Sequence, residues 1–404
     1  MDVVVVGAGL AGLACARELA ARGARCTVLE SHDRVGGRVA TDEVEGFLVD
    51  RGFQVLLDSY PEARRVLDLD ALELRAFRPG ALVRRGGRFH PVVDPWRAPL
   101  RGLSTLRAPF FRSADALRTA RLRADAARGA CRAPGGTAAK ELAARGFSRT
   151  AVLNFFEPFF AGVTLDPALG VASEFFLELF ACFARGSAVL PARGMRAIPE
   201  QLASGLPEGS VRTGARVTAV ARDRVELADG TELRADRVVL ATDASAAAKL
   251  VRDERRTEWF GTATLSYAAE RSPLDEPILV LAGDDARDGP VNHVCVPSDA
   301  QPTYAPPGAA LISVSVVGDP PDSDAAVDTA ARAQLSRWFG DAVRGWRLLR
   351  IDRVPRALPR RIAPLATELV VCGDHVATPS IQGALASGAA AARSIASRGT
   401  AHEE

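Results

Sequence analysis

The sequence predicts an α/β fold: a Rossmann-type dinucleotide-binding domain assembled from separated segments, joined to a second, α+β lobe of mixed sheet and helix. Three observations carry this. A continuous apolar run, Asp2 to Val6, meets glycines spaced G-x-G-x-x-G at Gly7, Gly9 and Gly12. Two distant segments, residues 214–242 and 368–384, each supply a short apolar strand of the kind such a domain needs. The chain has 404 residues, enough for two lobes.

The first unit reads element by element. The run DVVVV is rich in β-branched residues, as a strand buried on both faces requires. Gly7 permits a tight turn, Gly9 lets backbone approach a pyrophosphate, and Gly12 allows close helix–strand packing. A helix from about Leu10 to Arg22 points its positive end at the phosphates, Gly23 stops it, and Cys26 to Leu29 forms a second strand. Glu30 follows Gly7 by twenty-three residues. A carboxylate there accepts both hydroxyls of an adenosine ribose and repels a 2′-phosphate, which disfavours NADP. The candidate nucleotide contacts of this unit are Gly7, Gly9, Leu10, Ala11, Gly12, Glu30 and Ser31.

Composition narrows the partners. Apolar residues are 48% and charged residues 25% of the chain, ordinary for a globular protein. The six cysteines show no C-x-x-C spacing, so no metal site or redox pair is expected, and a reducing cytoplasm fits. Asp2 stands where a signal peptide has basic residues, and no uninterrupted apolar stretch approaches bilayer length. Between Arg75 and Arg132 fourteen arginines face three aspartates, with Phe77, Phe89, Trp96, Phe110 and Phe111 interleaved. Three readings of this stretch stay open: a solvated helical surface, a peripheral contact with anionic lipid, or a funnel for an anionic substrate. The formal net charge is only +2 and no recognition motif appears, so nucleic acid is not an expected partner.

The glycine motif alone does not separate NAD from FAD; the next residues do. SHDRVGGRV sets Gly36 and Gly37 between Arg34 and Arg38. Two glycines let the backbone fold over a pyrophosphate, and an arginine beside them neutralises it. An R-x-G-G-R segment directly after the ribose-binding acid resembles the flavoprotein superfamily of amine oxidases, protoporphyrinogen oxidases and phytoene desaturases. The resemblance implies FAD and extends to the two distant segments. In GARVTAVARDRVELADGTELRADRVVLATDAS, a β-meander turning at Asp229-Gly230, it places Val217 against the adenine and makes Ala241-Thr242 the close of the nucleotide domain. In ELVVCGDHVATPSIQGALASG, it gives Gly373 and Asp374 the ribityl and pyrophosphate, and aims a helix beginning near Gln382 at the flavin pyrimidine through Ile381, Gln382, Gly383 and Ala384. A helix N-terminus suits the negative charge of reduced flavin.

The same resemblance implies a domain plan: a cofactor domain from 1–75, 189–258 and 346–404, and a substrate lobe from 76–188, read mainly as helices, and 259–345, read as strands and one helix. In VDRGFQVLL it implies a turn beneath the flavin ring, which makes Gly52 a cofactor contact and Arg51, Phe53 and Gln54 the candidates nearest the chemistry. Phenylalanines crowd 155–183; most are expected in the core and the rest against an apolar pocket. His375 is expected to make a structural hydrogen bond.

The expected reaction is hydride transfer from a hydrophobic small molecule to flavin N5, as amine oxidation or C–C desaturation, with oxygen or another acceptor taking the electrons. No second G-x-G-x-x-G unit for NAD(P)H is found. No lysine follows Lys249, where many amine oxidases of the superfamily carry one, and no cysteine has the context of a covalent flavin anchor, so FAD is expected to be non-covalent. A redox-neutral flavin isomerase and a non-catalytic FAD-binding scaffold remain as alternatives.

Overall fold

The computed structural model describes residues 1–98, 102, 105–274, 276–283, 288–320, 322–361 and 365–400. Its first unit is strand β1 (Asp2–Val6), helix α1 (Leu10–Ala20) and strand β2 (Arg25–Leu29). β1 lies at the centre of a five-stranded parallel sheet. On one side are β2 and Val211–Arg212; on the other are Arg237–Leu240 and Val370–Val371. Chain segments from both ends and the middle therefore complete one sheet, in the register Val3 to Arg237 through Val6 to Leu240.

The four valines explain why this strand is central. All are at most 3% exposed. Val3 and Val5 pack with α1 residues such as Leu13, while Val4 and Val6 face Val225 and Leu227 on the other side. Successive side chains point to opposite faces, so a run without polar residues fits only a strand covered twice. The covers are helices on one face and a three-stranded antiparallel sheet on the other, built from Val217–Val220, Arg224–Leu227 and Glu232–Arg234. α1 is itself locked against the helix Ile381–Thr400: a Cβ at Gly388 would lie 2.2 Å from the Ala11 carbonyl oxygen.

The second large sheet has seven strands, ordered Arg347–Pro359, Trp259–Ala269, Ala310–Val317, His293–Cys295, Leu279–Ala282, Gly80–Arg85 and Arg88–Val93. One face is apolar: Leu265, Tyr267, Ile312 and Val314 pack under Val327, Leu335 and Trp338 of the helix Asp324–Phe339. Alternate positions carry the buried polar residues Thr264, Ser266, Ser313, Ser315 and His293. Helices Ser113–Ala127, Ala138–Ala144, Glu157–Thr164 and Ser173–Arg185 gather the phenylalanine-rich cluster. Phe156, Phe160, Phe175 and Phe176 are buried there, and Phe155, Phe159, Phe180 and Phe183 are half-buried.

Two segments differ from the sequence-based plan. The 76–188 stretch is not only helical, because Gly80–Arg85 and Arg88–Val93 form a hairpin that extends the seven-stranded sheet. Arg347–Pro359, assigned by sequence to the cofactor domain, instead pairs antiparallel with Trp259–Ala269 at the edge of that sheet. Its arginines and Asp352 hide the strand signal, since a charged edge strand lacks the apolar alternation of a half-buried one. Among the described residues, no helix is long and apolar enough to cross a membrane.

Candidate functional site

The glycine loop sits where β1, α1 and the strand Arg237–Leu240 meet. Gly7 has φ +108°, and a Cβ there would lie 2.8 Å from the Ala241 oxygen, which also brings Thr242 against the loop. A Cβ at Gly12 would come within 2.0 Å of the Gly7 oxygen and 3.0 Å of the Ala241 Cβ, so helix and strand approach as only glycine permits. At Gly9 a Cβ would meet nothing within 4 Å. Gly9 is also the N-cap of α1, which has no side-chain cap and no acid in its first turn, where Leu10, Ala11 and Gly12 lie. Those free amides and the helix dipole make an anion seat.

The second glycine pair lies directly beside the first loop. Gly36 bridges to Gly9, its N–H donates to the Ala8 oxygen at 2.8 Å, and a Cβ on Gly37 would be 3.6 Å from the Gly9 Cα. Gly36 and Gly37 have φ of +114° and +60°, left-handed backbone in which other residues are strained. Glu30 is 7% exposed and accepts the amides of Ala8 and His32, each at 2.9 Å. Burial raises its pKa, but these donors outweigh that and hold it below the usual value, so the carboxylate is charged. Ser31 adds a hydroxyl contact to Glu30 at 3.3 Å. Val217 starts the covering sheet two residues after Ala215, whose amide donates to the Glu30 carbonyl at 2.7 Å.

The C-terminal segment closes the other end. The Asp374 carboxylate accepts Nη1 and Nη2 of Arg38 at 2.8 and 2.6 Å, and Arg38 Nη1 also donates to the Ala357 oxygen at 2.7 Å. Gly373 has φ +150°, and its N–H donates to Ser387 Oγ at 2.9 Å. Ile381 opens the last helix, Gln382 Oε1 accepts the Glu62 amide, Gly383 donates to Ser380 Oγ, and Ala384 donates to the Ser380 carbonyl.

The turn before the flavin-proximal candidates is tied to the same place. Gln54 Nε2 donates to the carbonyls of Arg38 and Arg51 at 2.8 and 3.1 Å. Gly52 has φ +85°, and a Cβ there would touch Val354 at 3.8 Å. The Phe53 amide donates to Thr264 Oγ1 at 3.3 Å, and its ring meets those of Phe77 and His293 edge-on at 6.2 and 5.5 Å. Burial lowers the His293 pKa to about 4, so this ring is neutral. Arg51 is different. Its guanidinium is half-exposed and donates to Asp42, a carboxylate shared with Arg34 and Arg350. The structure brings the Arg51 backbone, not its side chain, to Gln54.

His375 departs from expectation. It is 2% exposed, and neither ring nitrogen has a hydrogen-bond partner among the described residues. Gln54 Oε1 is likewise buried and unpaired. Two further residues bear on this region: Trp259 arrives from afar, and Asp50 is the neighbour of Arg51 in sequence. Trp259 lies with its ring 5.7 Å from the Arg38 guanidinium and donates its indole N–H to Ser245. Asp50, half-buried beside Arg51, accepts from Thr41, Met195 and Tyr304. A histidine inside the otherwise apolar strand HVC was the one local signal for His293.

Among the described residues, these features combine a five-stranded parallel sheet carrying a glycine loop with a seven-stranded sheet covered by helices. The chain belongs to the flavin-containing amine oxidoreductase family, whose model matches residues 10–396. A coproporphyrinogen III oxidase of Propionibacterium freudenreichii subsp. freudenreichii is 42% identical over 86 residues, 21% of this chain and 15% of that protein. A putrescine oxidase of Kocuria rosea is 43% identical over 83 residues, 20% of this chain and 17% of that protein. Each match spans less than a fifth of the relative's length. An oxidoreductase from Methanosarcina mazei has the same fold, with a TM-score of 0.76 at 17% identity over 98% of this chain and 100% of that one.

The residues present fit the flavin that this family carries. The space above Gly9, the uncapped start of α1, and the buried unpaired atoms of Gln54 and His375 are each features that a polar ligand would satisfy.

Proposed function

We propose that this protein binds FAD non-covalently and oxidises a hydrophobic small molecule, by amine oxidation or C–C desaturation, with oxygen or another acceptor taking the electrons. The carrying observation is the Arg38–Asp374 pair, which joins the R-x-G-G-R segment to the C-terminal Gly373-Asp374 entry, as a cofactor held by both segments requires.

In this reading the amides of Leu10, Ala11 and Gly12 hold the pyrophosphate, Glu30 takes the adenosine ribose, and Gly36 and Gly37 admit the dinucleotide to the backbone. Bound FAD supplies the hydride acceptor. Gln54 has both Nε2 protons committed to carbonyls, so its Oε1 is a fixed acceptor for an N–H of ring or substrate. Phe53, Phe77 and neutral His293 present an aromatic wall without a charge, which suits an apolar substrate. The two lysines lie elsewhere, Lys140 in Ala138–Ala144 and Lys249 in Ala244–Leu250, so no lysine is available near this wall. Cys372, which precedes Gly373-Asp374, is fully buried.

The test is the spectrum of the purified protein while amines, polyenes and porphyrinogens are added in turn without oxygen. Bleaching of the flavin band by one class assigns the reaction. Flavin that never cycles with any donor sinks the oxidoreductase reading, and flavin that stays with the chain after denaturation sinks non-covalent binding.

A further inference from the structure

Three large apolar side chains are strongly exposed among the described residues, and two of them lie in the arginine-rich stretch: Trp96 at 52% and Leu117 at 54%. Leu117 lies on the helix Ser113–Ala127, and Trp96 lies against it. Its inner face, Asp115, Leu122 and Ala126, is buried. Its outer face repeats at helical spacing through Leu117, Arg121, Ala124 and Arg128, all exposed. Trp96 reaches the same helix from the preceding segment, where the Arg123 guanidinium lies 5.3 Å from its ring.

The charge around these groups is not balanced. Each nearby carboxylate already has a partner: Asp94 pairs with Arg123, Asp115 with Arg118, and Asp125 with Arg128, Arg132 and Arg145. Arg107, Arg112 and Arg121 are exposed and make no ion pair among the described residues. Among the described residues, the surface therefore combines cations without an ion pair and two separate apolar side chains, one of them a tryptophan. A protein interface is built round a contiguous, well-packed apolar centre. Shallow insertion of isolated apolar groups among anionic headgroups needs only what is present here.

We propose that this face docks on an anionic membrane surface, with Trp96 and Leu117 entering the headgroup layer and Arg107, Arg112 and Arg121 meeting lipid phosphates. The inference stands apart from the flavin chemistry and concerns only where the protein works.

The test is co-sedimentation of the flavin-loaded, full-length protein with phosphatidylcholine vesicles, with and without phosphatidylglycerol. The protein is expected to pellet with the anionic vesicles at low salt, to be released at high salt, and to ignore neutral vesicles. Arg107→Ala and Arg121→Ala should each weaken binding roughly fivefold, and Trp96→Ser with Leu117→Ser should weaken it further. These side chains are on the surface, so unchanged flavin content and melting will show the variants folded; the salt and lipid comparisons need no variant. Wild-type protein left in the supernatant with anionic vesicles at low salt overturns the proposal. So does equal binding by the variants, or self-association of the protein that the same substitutions abolish.

Discussion

Arg38 and Asp374, separated by 336 positions, share two charge-assisted hydrogen bonds of 2.8 and 2.6 Å. The carboxylate is 5% and the guanidinium 35% exposed. Burial works against the charge on Arg38, but Asp374 outweighs it and raises the arginine pKa. By sequence Arg38 was expected at the pyrophosphate, and Asp374 with Gly373 at the ribityl chain and pyrophosphate, with no contact between Arg38 and Asp374 foreseen. Their pairing makes them one clamp instead, with Trp259 stacked on its outer face. Asp374→Asn leaves a half-buried cation unmatched, and is expected to cost on the order of 1–3 kcal/mol and to lower flavin occupancy. Urea unfolding of the flavin-free protein and the flavin-to-protein absorbance ratio measure the two effects. Unchanged values for both would show that the pair does not join the site.

Gly9 and Gly12 are three residues apart and separate binding from folding. Gly9 has extended backbone, φ −73° and ψ 178°, and open space where its Cβ would stand. Gly9→Val should therefore fold to a protein of near wild-type stability without flavin, since the new side chain occupies the pyrophosphate approach. Gly12→Ala drives a methyl into the Gly7 carbonyl. It should destabilise the fold itself by about 1–3 kcal/mol, less the roughly 1 kcal/mol that alanine returns as a helix former. Melting curves and flavin content of both variants decide this. A yellow Gly9→Val protein would remove Gly9 from the binding site.

Local pattern carried much of this architecture. β1, the glycine loop, α1 and β2 were legible because their apolar runs and glycine spacing lie within about thirty consecutive residues, although the partners they pack on are distant; the helix ends at Ala20 where Arg22 was expected, and β2 starts at Arg25 where Cys26 was expected. The one helix expected within 259–345 is Asp324–Phe339. What failed to show was long-range. The edge strand Arg347–Pro359 is half-buried and charged, so its partner and not its pattern makes it a strand. The commitment of Arg51 to Asp42 and the unpaired ring of His375 depend on neighbours that no spacing announces.

Gln54 is held by two carbonyls, which fixes its amide plane and leaves Oε1 as the acceptor. Gln54→Ala removes that acceptor and the two amide bonds to the Arg38 and Arg51 carbonyls, and leaves Glu30, Gly9 and the Arg38–Asp374 side-chain pair in place. FAD is expected to stay bound while the rate of anaerobic flavin reduction falls about tenfold, the size of one hydrogen bond to a group that matters in the transition state. Stopped-flow absorbance with any substrate that bleaches the flavin gives the rate. Identical kinetics would place Gln54 outside the chemistry.

Asp50 gives the site a pH signature. It is half-buried beside the Arg51–Gln54 turn, and desolvation of its carboxyl raises its pKa to about 6 despite donors from Thr41, Met195 and Tyr304. The folded state thus holds this proton more tightly than the unfolded chain, whose aspartate titrates near its ordinary value of roughly 4. The resulting stability is fully present below that value and is lost as pH rises through about 6, by up to about 3 kcal/mol. Asp42 runs the other way. Burial pushes its pKa up, but Arg51, Arg34 and Arg350 outweigh burial and hold it low, so its contribution disappears only on the acid side. Between pH 4 and 7, values set by these two ranges at roughly one unit either side of the shift, Asp50→Asn should remove a downward slope in unfolding free energy that the wild type shows. Denaturant titrations of both proteins across that window supply the comparison, and parallel curves would mean that Asp50 is charged throughout and that its three donors, not its burial, set its state.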